Sequence, residues 1–386
     1  MWRLQRQIDG NVDALSPSQQ EDLGRFLART GGDGRRTYAD LRAVDSDAAD
    51  TLAAIDDPVT QRQFVNAYQR GEVDSDELAT ALRRYDNLEA PGQDAAEELI
   101  AKAGHDGAEF FARADADTAQ RVVADGGIDG YDRTKANLIG DESVDSDVVN
   151  RVDDQISDLN PTRRQRAKDL VDETNGNGVQ LIDNINEDTL KTVLDLDIRR
   201  ADELRTAFVT NYRKEYITAD EINEFATRTD NLKDVEELNN GPVQDIITSG
   251  KRSDVQGALR EVEVADDIGS ENIDRMNIEV GPKGVDGEID IRLESGEVVE
   301  VKKSFGESDR STFTEFEKKL KAMREDKTTS LDGNTLTIRS DGVDNPDRVA
   351  EIADDWENRV RNNDEWNNAN IEIRVVDDKN GKVITD

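Results

Sequence analysis

The sequence predicts a multidomain chain of class α plus α/β: an N-terminal all-α helical repeat array over residues 1–245, then an α/β domain with a mixed sheet over 246–386. Three observations lead there. Self-similarity at a spacing of about 70 residues runs through the first part. A switch from helical to two-residue periodicity follows near residue 250. Between them Gly241-Pro242 and Thr248-Ser249-Gly250 interrupt the helical pattern. A chain of 386 residues is also too long for one hydrophobic core of ordinary size.

In the first part, Phe64-Val65-Asn66-Ala67-Tyr68 through Asp86-Asn87-Leu88 returns as Phe208-Val209-Thr210-Asn211-Tyr212 through Asp230-Asn231-Leu232. A third copy lies halfway, where Val144-Asp145-Ser146-Asp147 echoes Val73-Asp74-Ser75-Asp76 and Leu159 stands where Leu88 does. Another helix and its turn repeat as Phe26-Leu27 with Gly31 and Gly34, Leu99-Ile100 with Gly104 and Gly107, and Leu170-Val171 with Asn175 and Gly178. Three helical units follow, over roughly 20–92, 94–163 and 165–236.

Alternating aspartates in Val-Asp-Ser-Asp invite a calcium-loop reading, but no glycine follows at loop position six and no glutamate at twelve. Helix capping accounts for the same residues one by one. Asp74 is the N-cap, Glu77 at N3 closes a capping box, and Val73 can staple Leu78. Ile217, Thr218, Glu221 and Ile222 repeat the scheme with other residues, which a cap tolerates and a metal site does not. His105, the one histidine of the chain, falls inside a helical unit and reads as structural. Nothing in the repeats looks catalytic; arrays of this kind present surfaces to partners or act as spacers.

In the second part a helix is expected from Ser253 to Ile268, with Val255, Leu259 and Val262 on one side. Strands are expected at Asn277–Val280, Gly287–Leu293 and Val298–Val301. A helix Phe313–Arg324, a strand Thr335–Ile338, a helix Pro346–Val360 and a strand Ile371–Val376 complete the order.

Strand alternation sends Ile289, Ile291 and Leu293 to one face, and Glu288, Asp290 and Arg292 to the other. It likewise sets Glu300 and Lys302 together, opposite Val299 and Val301. With Ser295-Gly296 as the turn, pairing the two strands brings Asp290 beside Glu300. Two carboxylates that close repel unless a cation lies between them, and hard oxygen ligands suit Mg²⁺ or Mn²⁺. Such an ion lowers the pKa of a bound water and polarises a phosphate, while Lys302 can orient the water or stabilise phosphoryl charge. Metal-assisted phosphodiester hydrolysis uses all three. Glu288, or Glu261 or Glu263 from the preceding helix, are secondary candidates for completing a second ion site.

The string Gly287-Glu288-Ile289-Asp290-Ile291, a turn, and Val299-Glu300-Val301-Lys302 resembles the signature of the PD-(D/E)XK, or restriction-endonuclease-like, nuclease superfamily. The resemblance implies an αβββαβ core over about 250–376, metal binding by Asp290 and Glu300, and a catalytic Lys302. A glutamate from the first core helix often joins them. No proline precedes Asp290, a departure shared by many members, and the helical units lie outside the resemblance. Glu317-Lys318-Lys319 also spells E-x-K, but on an expected helix with no carboxylate strand beside it. The competing explanation for Glu288, Asp290 and Glu300 is an exposed hairpin face on an acidic protein; a lysine kept among carboxylates on a Val- and Ile-rich strand pair favours the nuclease. Lys318, Lys319, Lys321, Arg324 and Lys327 form the least acidic region. They can face phosphates or simply pair with Glu315 and Glu317 at helical spacing.

Acidic residues number 87 against 50 basic ones, for a net charge of −37, spread along the chain as on proteins of concentrated salt. A halophilic archaeal source fits. At molar salt the Debye length is about 3 Å, so net acidity does not exclude a nucleic-acid partner. The absence of cysteine excludes disulfides, thiolate zinc sites and thiol nucleophiles, and one histidine leaves no Ser-His-Asp triad in the second part. No apolar h-region follows Met1, and no run approaches 18 apolar residues. The expected location is the cytoplasm of a high-salt organism, with export by a non-Sec route left open. A terminal nuclease behind repeats resembles polymorphic toxins, which would bring an immunity or docking protein to the repeats. A restriction, repair or mobile-element nuclease, and a non-catalytic scaffold, are the alternatives. The substrate, DNA first with RNA open, is not fixed by these residues.

Overall fold

The computed structural model describes residues 14–124, 127–280, 287–306, 318, 335–362 and 371–385. These are mostly helical, with a mixed six-stranded sheet toward the C-terminus. The chain divides into two units, Met1–Asp183 and Asn184–Asp386. The division falls earlier than the change of sequence pattern near 245, so the unit carrying the sheet also carries the helices between Glu187 and Thr248. Among the described residues no helix is long and apolar enough to cross a membrane.

In the first unit, helices Pro58–Arg70 and Ser75–Asp86 are followed about 70 residues later by Gly130–Gly140 and Ser146–Ser157. The second unit carries their counterparts Ala201–Arg213 and Ala219–Asn231. Caps set where these helices start. The Asp74 carboxylate accepts from the N–H groups of Asp76 and Glu77, both at 2.9 Å, and Glu77 accepts from the Asp74 N–H at 2.8 Å. Thr218 and Glu221 form the same reciprocal pair at 3.2 and 2.7 Å. The aspartate that suggested a calcium ligand is therefore engaged with backbone donors. Asp145 is also an N-cap, without a side-chain cap bond.

The repeated glycines have two separate physical causes. Gly31 and Gly104 turn the chain at φ 66 and 72, and Asn175 does so at φ 49, a conformation that costs other residues steric strain. Gly107 is needed for closeness: a Cβ there would lie 2.9 Å from Ile100 Cα. One buried apolar cluster of this unit runs from Leu15 to Val149, with Phe26, Tyr38, Phe64, Phe110 and Phe111 fully buried.

In the second unit, helix Arg252–Ile268 buries Val255, Ala258, Val262 and Ala265 and leaves Leu259 half-buried. The strands are β1 (Ile273–Val280), β2 (Gly287–Leu293), β3 (Val298–Lys302), β4 (Thr335–Ser340), β5 (Glu372–Asp377) and β6 (Lys382–Val383). They lie in sequence order across the sheet. β1, β2 and β3 form an antiparallel meander; β3, β4 and β5 are parallel, and β6 returns antiparallel on β5. Helix Pro346–Arg361 buries Val349, Ala353, Trp356 and Val360, which join one apolar cluster with Leu336, Ile338, Ile373 and Val375 of the sheet.

β1 starts four residues before the expected Asn277, because an irregularity between Ile273 and Arg275 breaks the two-residue alternation. β6 was not expected; two residues leave no periodic signal. The expected helix Phe313–Arg324, with the basic residues Lys319, Lys321, Arg324 and Lys327 around it, lies outside the described residues apart from Lys318.

Candidate active site

The Ser295-Gly296 turn is closed by Gly296 at φ 89, with its N–H donating to Leu293 O at 2.9 Å. Backbone pairing then runs through Arg292↔Val298 and Ile291↔Val299. Past that pair the two strands meet through a side chain. There the Asp290 carboxylate accepts from the Val301 N–H at 2.6 Å, so a side chain fills a ladder position that the β2 backbone no longer serves. This fixes one Asp290 oxygen against β3.

Glu300 is 3% exposed. Its Oε1 accepts from Lys302 Nζ at 3.1 Å, two residues along the same strand face. The Lys302 side chain keeps 32% of its surface in solvent, so an ammonium anchored on a buried carboxylate still reaches the outside.

The preceding helix brings one of its two candidate glutamates to this place. Burial, then the negative charges of Asp290, Asp245, Glu288 and Glu300, push the Glu261 carboxyl well above the ordinary glutamate range. Part of the residue reaches solvent, yet the carboxyl feels four neighbouring carboxylates. Glu263 goes elsewhere. It pairs with Arg260 at 2.6 Å and faces Arg228 at 3.6 Å, because two residues along a helix turn a side chain by about 200°. Glu288 is exposed on β2 and contributes charge to the Glu261 surroundings.

Asp245, on helix Pro242–Thr248, was not anticipated. It acts on Glu261 electrostatically, and burial followed by the charge of Asp254 raises its own carboxyl. Its sequence neighbourhood reads only as an interruption of the repeats, so no local signal marks it.

The charges of Asp245, Glu288, Asp290 and Glu300 thus all act on Glu261, and Lys302 is anchored on Glu300. A desolvated group of carboxylates must take up protons or cations. The donors are all hard oxygens, the type that suits Mg²⁺ or Mn²⁺, and among the described residues no three of them converge within 4.8 Å of one another in this structure. Comparison of the chain with models of protein families, with curated proteins and with solved structures finds no match.

Proposed function

We propose that the sheet-bearing unit is a metal-dependent nuclease of the PD-(D/E)XK kind, hydrolysing phosphodiester bonds in nucleic acid, with DNA as the first substrate to test. The observation that carries this reading is the joining of Asp290, Glu300 and Lys302 on paired strands, with Glu261 reaching them from the preceding helix. The element order supports it: a helix, a three-stranded meander, and parallel strands after it. Parallel neighbours such as β3 and β4 need a crossover of roughly a dozen residues or more, which 303–334 is long enough to supply.

Asp290 and Glu300 would hold the metal, with Glu261 as a further ligand. The bound ion would acidify a water and polarise the phosphate. Asp290 is held in place by the bond it accepts from the Val301 N–H. Lys302, held by Glu300, offers N–H donors to the attacking water or to phosphoryl oxygens as charge gathers on them. Water would form the new P–O bond as it loses a proton to solvent, the bond to the leaving nucleoside oxygen would break, and that oxygen would take a proton from solvent. The helical units serve as a docking or delivery arm.

The test is plasmid and RNA cleavage by the full chain in concentrated KCl, with Mg²⁺ or Mn²⁺ and with EDTA. Metal-dependent cleavage that falls by about 10²–10³ in Lys302→Ala is expected. Absence of metal-dependent cleavage of either polymer defeats the reading. Growth arrest on expression, relieved by Asp290→Ala, separates a toxin-like effector from a restriction, repair or mobile-element nuclease.

A further inference from the structure

A second cluster of ligand-type side chains lies in the first unit, within residues 1–183. Glu72 follows the left-handed Gly71 at the end of helix Pro58–Arg70. His105 opens helix His105–Arg113, and Glu109 stands one turn later on the same helix. Ligand atoms of Glu72, His105 and Glu109 all lie within 4.8 Å of one another. Two ligands at i and i+4 on a helix and a third from a separate turn is a common way to surround a cation.

Three independent features argue against a fortuitous grouping. Glu72 Oε2 is shielded from solvent and has no hydrogen-bond partner, a costly state for one carboxylate oxygen, while Oε1 lies 3.6 Å from Arg70 Nη1 and 3.7 Å from His105 Nε2. Glu109 is 6% exposed, a carboxyl taken almost wholly out of water. Arg113 then holds both ligand segments. Its Nη1 donates to Glu109 Oε2 at 2.7 Å and its Nη2 to the Glu72 carbonyl at 2.7 Å, the outer-shell arrangement that orients metal ligands.

The repeat supplies a further argument. With Gly31, Gly104 and Asn175 aligned, the place of His105 is taken by Gly32 and Gly176 in the other copies, and that of Glu109 by Arg36 and Gln180. The helices recur without these side chains, so packing of the array does not require them.

We propose that Glu72, His105 and Glu109 bind one divalent transition-metal ion of the Zn²⁺ class, clamping the turn after one helix to the start of another. One imidazole nitrogen with two carboxylates suits Zn²⁺, Co²⁺ or Ni²⁺ better than Mg²⁺, which favours an oxygen shell. The site is separate from the carboxylate cluster at Asp290 and Glu300 and does not depend on the nuclease reading.

His105 is the one histidine of the chain, which makes the test direct. The full chain carrying ¹³C-labelled histidine gives one imidazole Cε1–H resonance, to be titrated with Zn²⁺ in concentrated KCl. One equivalent of Zn²⁺ should shift it to saturation, and Co²⁺ should displace it strongly. Glu72→Gln should weaken Zn²⁺ binding by at least about tenfold, and Asp290→Ala should leave it unchanged. Glu72 is partly exposed, so that variant tolerates the change, and its metal-free resonance and circular dichroism report on folding. An unmoved resonance at one equivalent overturns the proposal. So does equal affinity in wild type and Glu72→Gln, which marks an imidazole-only complex.

Discussion

At Glu261, burial and the charges of Asp290, Asp245, Glu288 and Glu300 all act in one direction, raising the carboxyl well above the ordinary range. The sign of the consequence follows from proton linkage. The folded chain holds a proton there that the unfolded chain releases above about pH 4.3, so metal-free stability falls as pH rises from that value toward the raised one. Glu261→Gln removes the charge and keeps the shape. In EDTA at pH 8 it should therefore be more stable than wild type by on the order of 1 kcal/mol, with the gap closing toward pH 4; thermal melts of both proteins across this range measure it. A gap that does not depend on pH sinks the argument. The same variant should lose part of the Mg²⁺-dependent stabilisation. That Glu300 and Lys302 meet on one strand face was legible in the sequence because strand alternation is local. The choice between Glu261 and Glu263 was not, since it depends on which face of the helix meets the sheet. Asp245 and the Glu72, His105, Glu109 group were illegible for a related reason: their members come together only through tertiary packing.

Elements are set here by caps and glycines more than by apolar runs, and this sets the outcome of small substitutions. Gly107→Ala places a methyl 2.9 Å from Ile100 Cα; backbone on both sides cannot yield as a flexible side chain would, so a loss of about 1–3 kcal/mol is expected. Gly24, inside helix Pro17–Val44, has nothing within 4 Å of an added Cβ, and Gly24→Ala should instead stabilise by about 0.5–1 kcal/mol. Denaturant melts that gave both substitutions the same sign would contradict this account. Asp74→Ala, which leaves the N–H groups of Asp76 and Glu77 without their side-chain acceptor, should cost about 1 kcal/mol with or without Ca²⁺. Most strands and helices of the second unit were legible from periodicity, and their boundaries moved where periodicity fails. The irregularity near Asp274 hid the start of β1, and Lys382–Val383 is too short to show alternation.

For the whole molecule the governing quantity is a net charge of −37, with 87 acidic residues against 50 basic. Even if every cation paired once, many carboxylates would remain unpaired, and described pairs such as Arg121 with Asp117 and Asp154 are largely exposed, so each stabilises weakly. Buried groups behave differently. Lys135, its side chain 5% exposed, lies 3.1 and 3.2 Å from Asp132 and Asp153, and salt screens such a pair little. Salt therefore acts mainly on repulsion between exposed carboxylates. The Debye length is about 10 Å at 0.1 M and about 3 Å at 1 M, so at low salt each carboxylate repels several neighbours and at high salt almost none. The melting temperature should rise steeply between about 0.1 and 1 M KCl and then flatten, since screening has little left to remove. Strengthened apolar burial, the other effect of concentrated solutes, acts through exclusion from the surface and should be reproduced by sucrose. Melts in KCl and in sucrose of matched concentration separate the two. A rise that stays linear beyond 1 M and that sucrose reproduces would show that burial, not charge, governs the stability of this acidic chain.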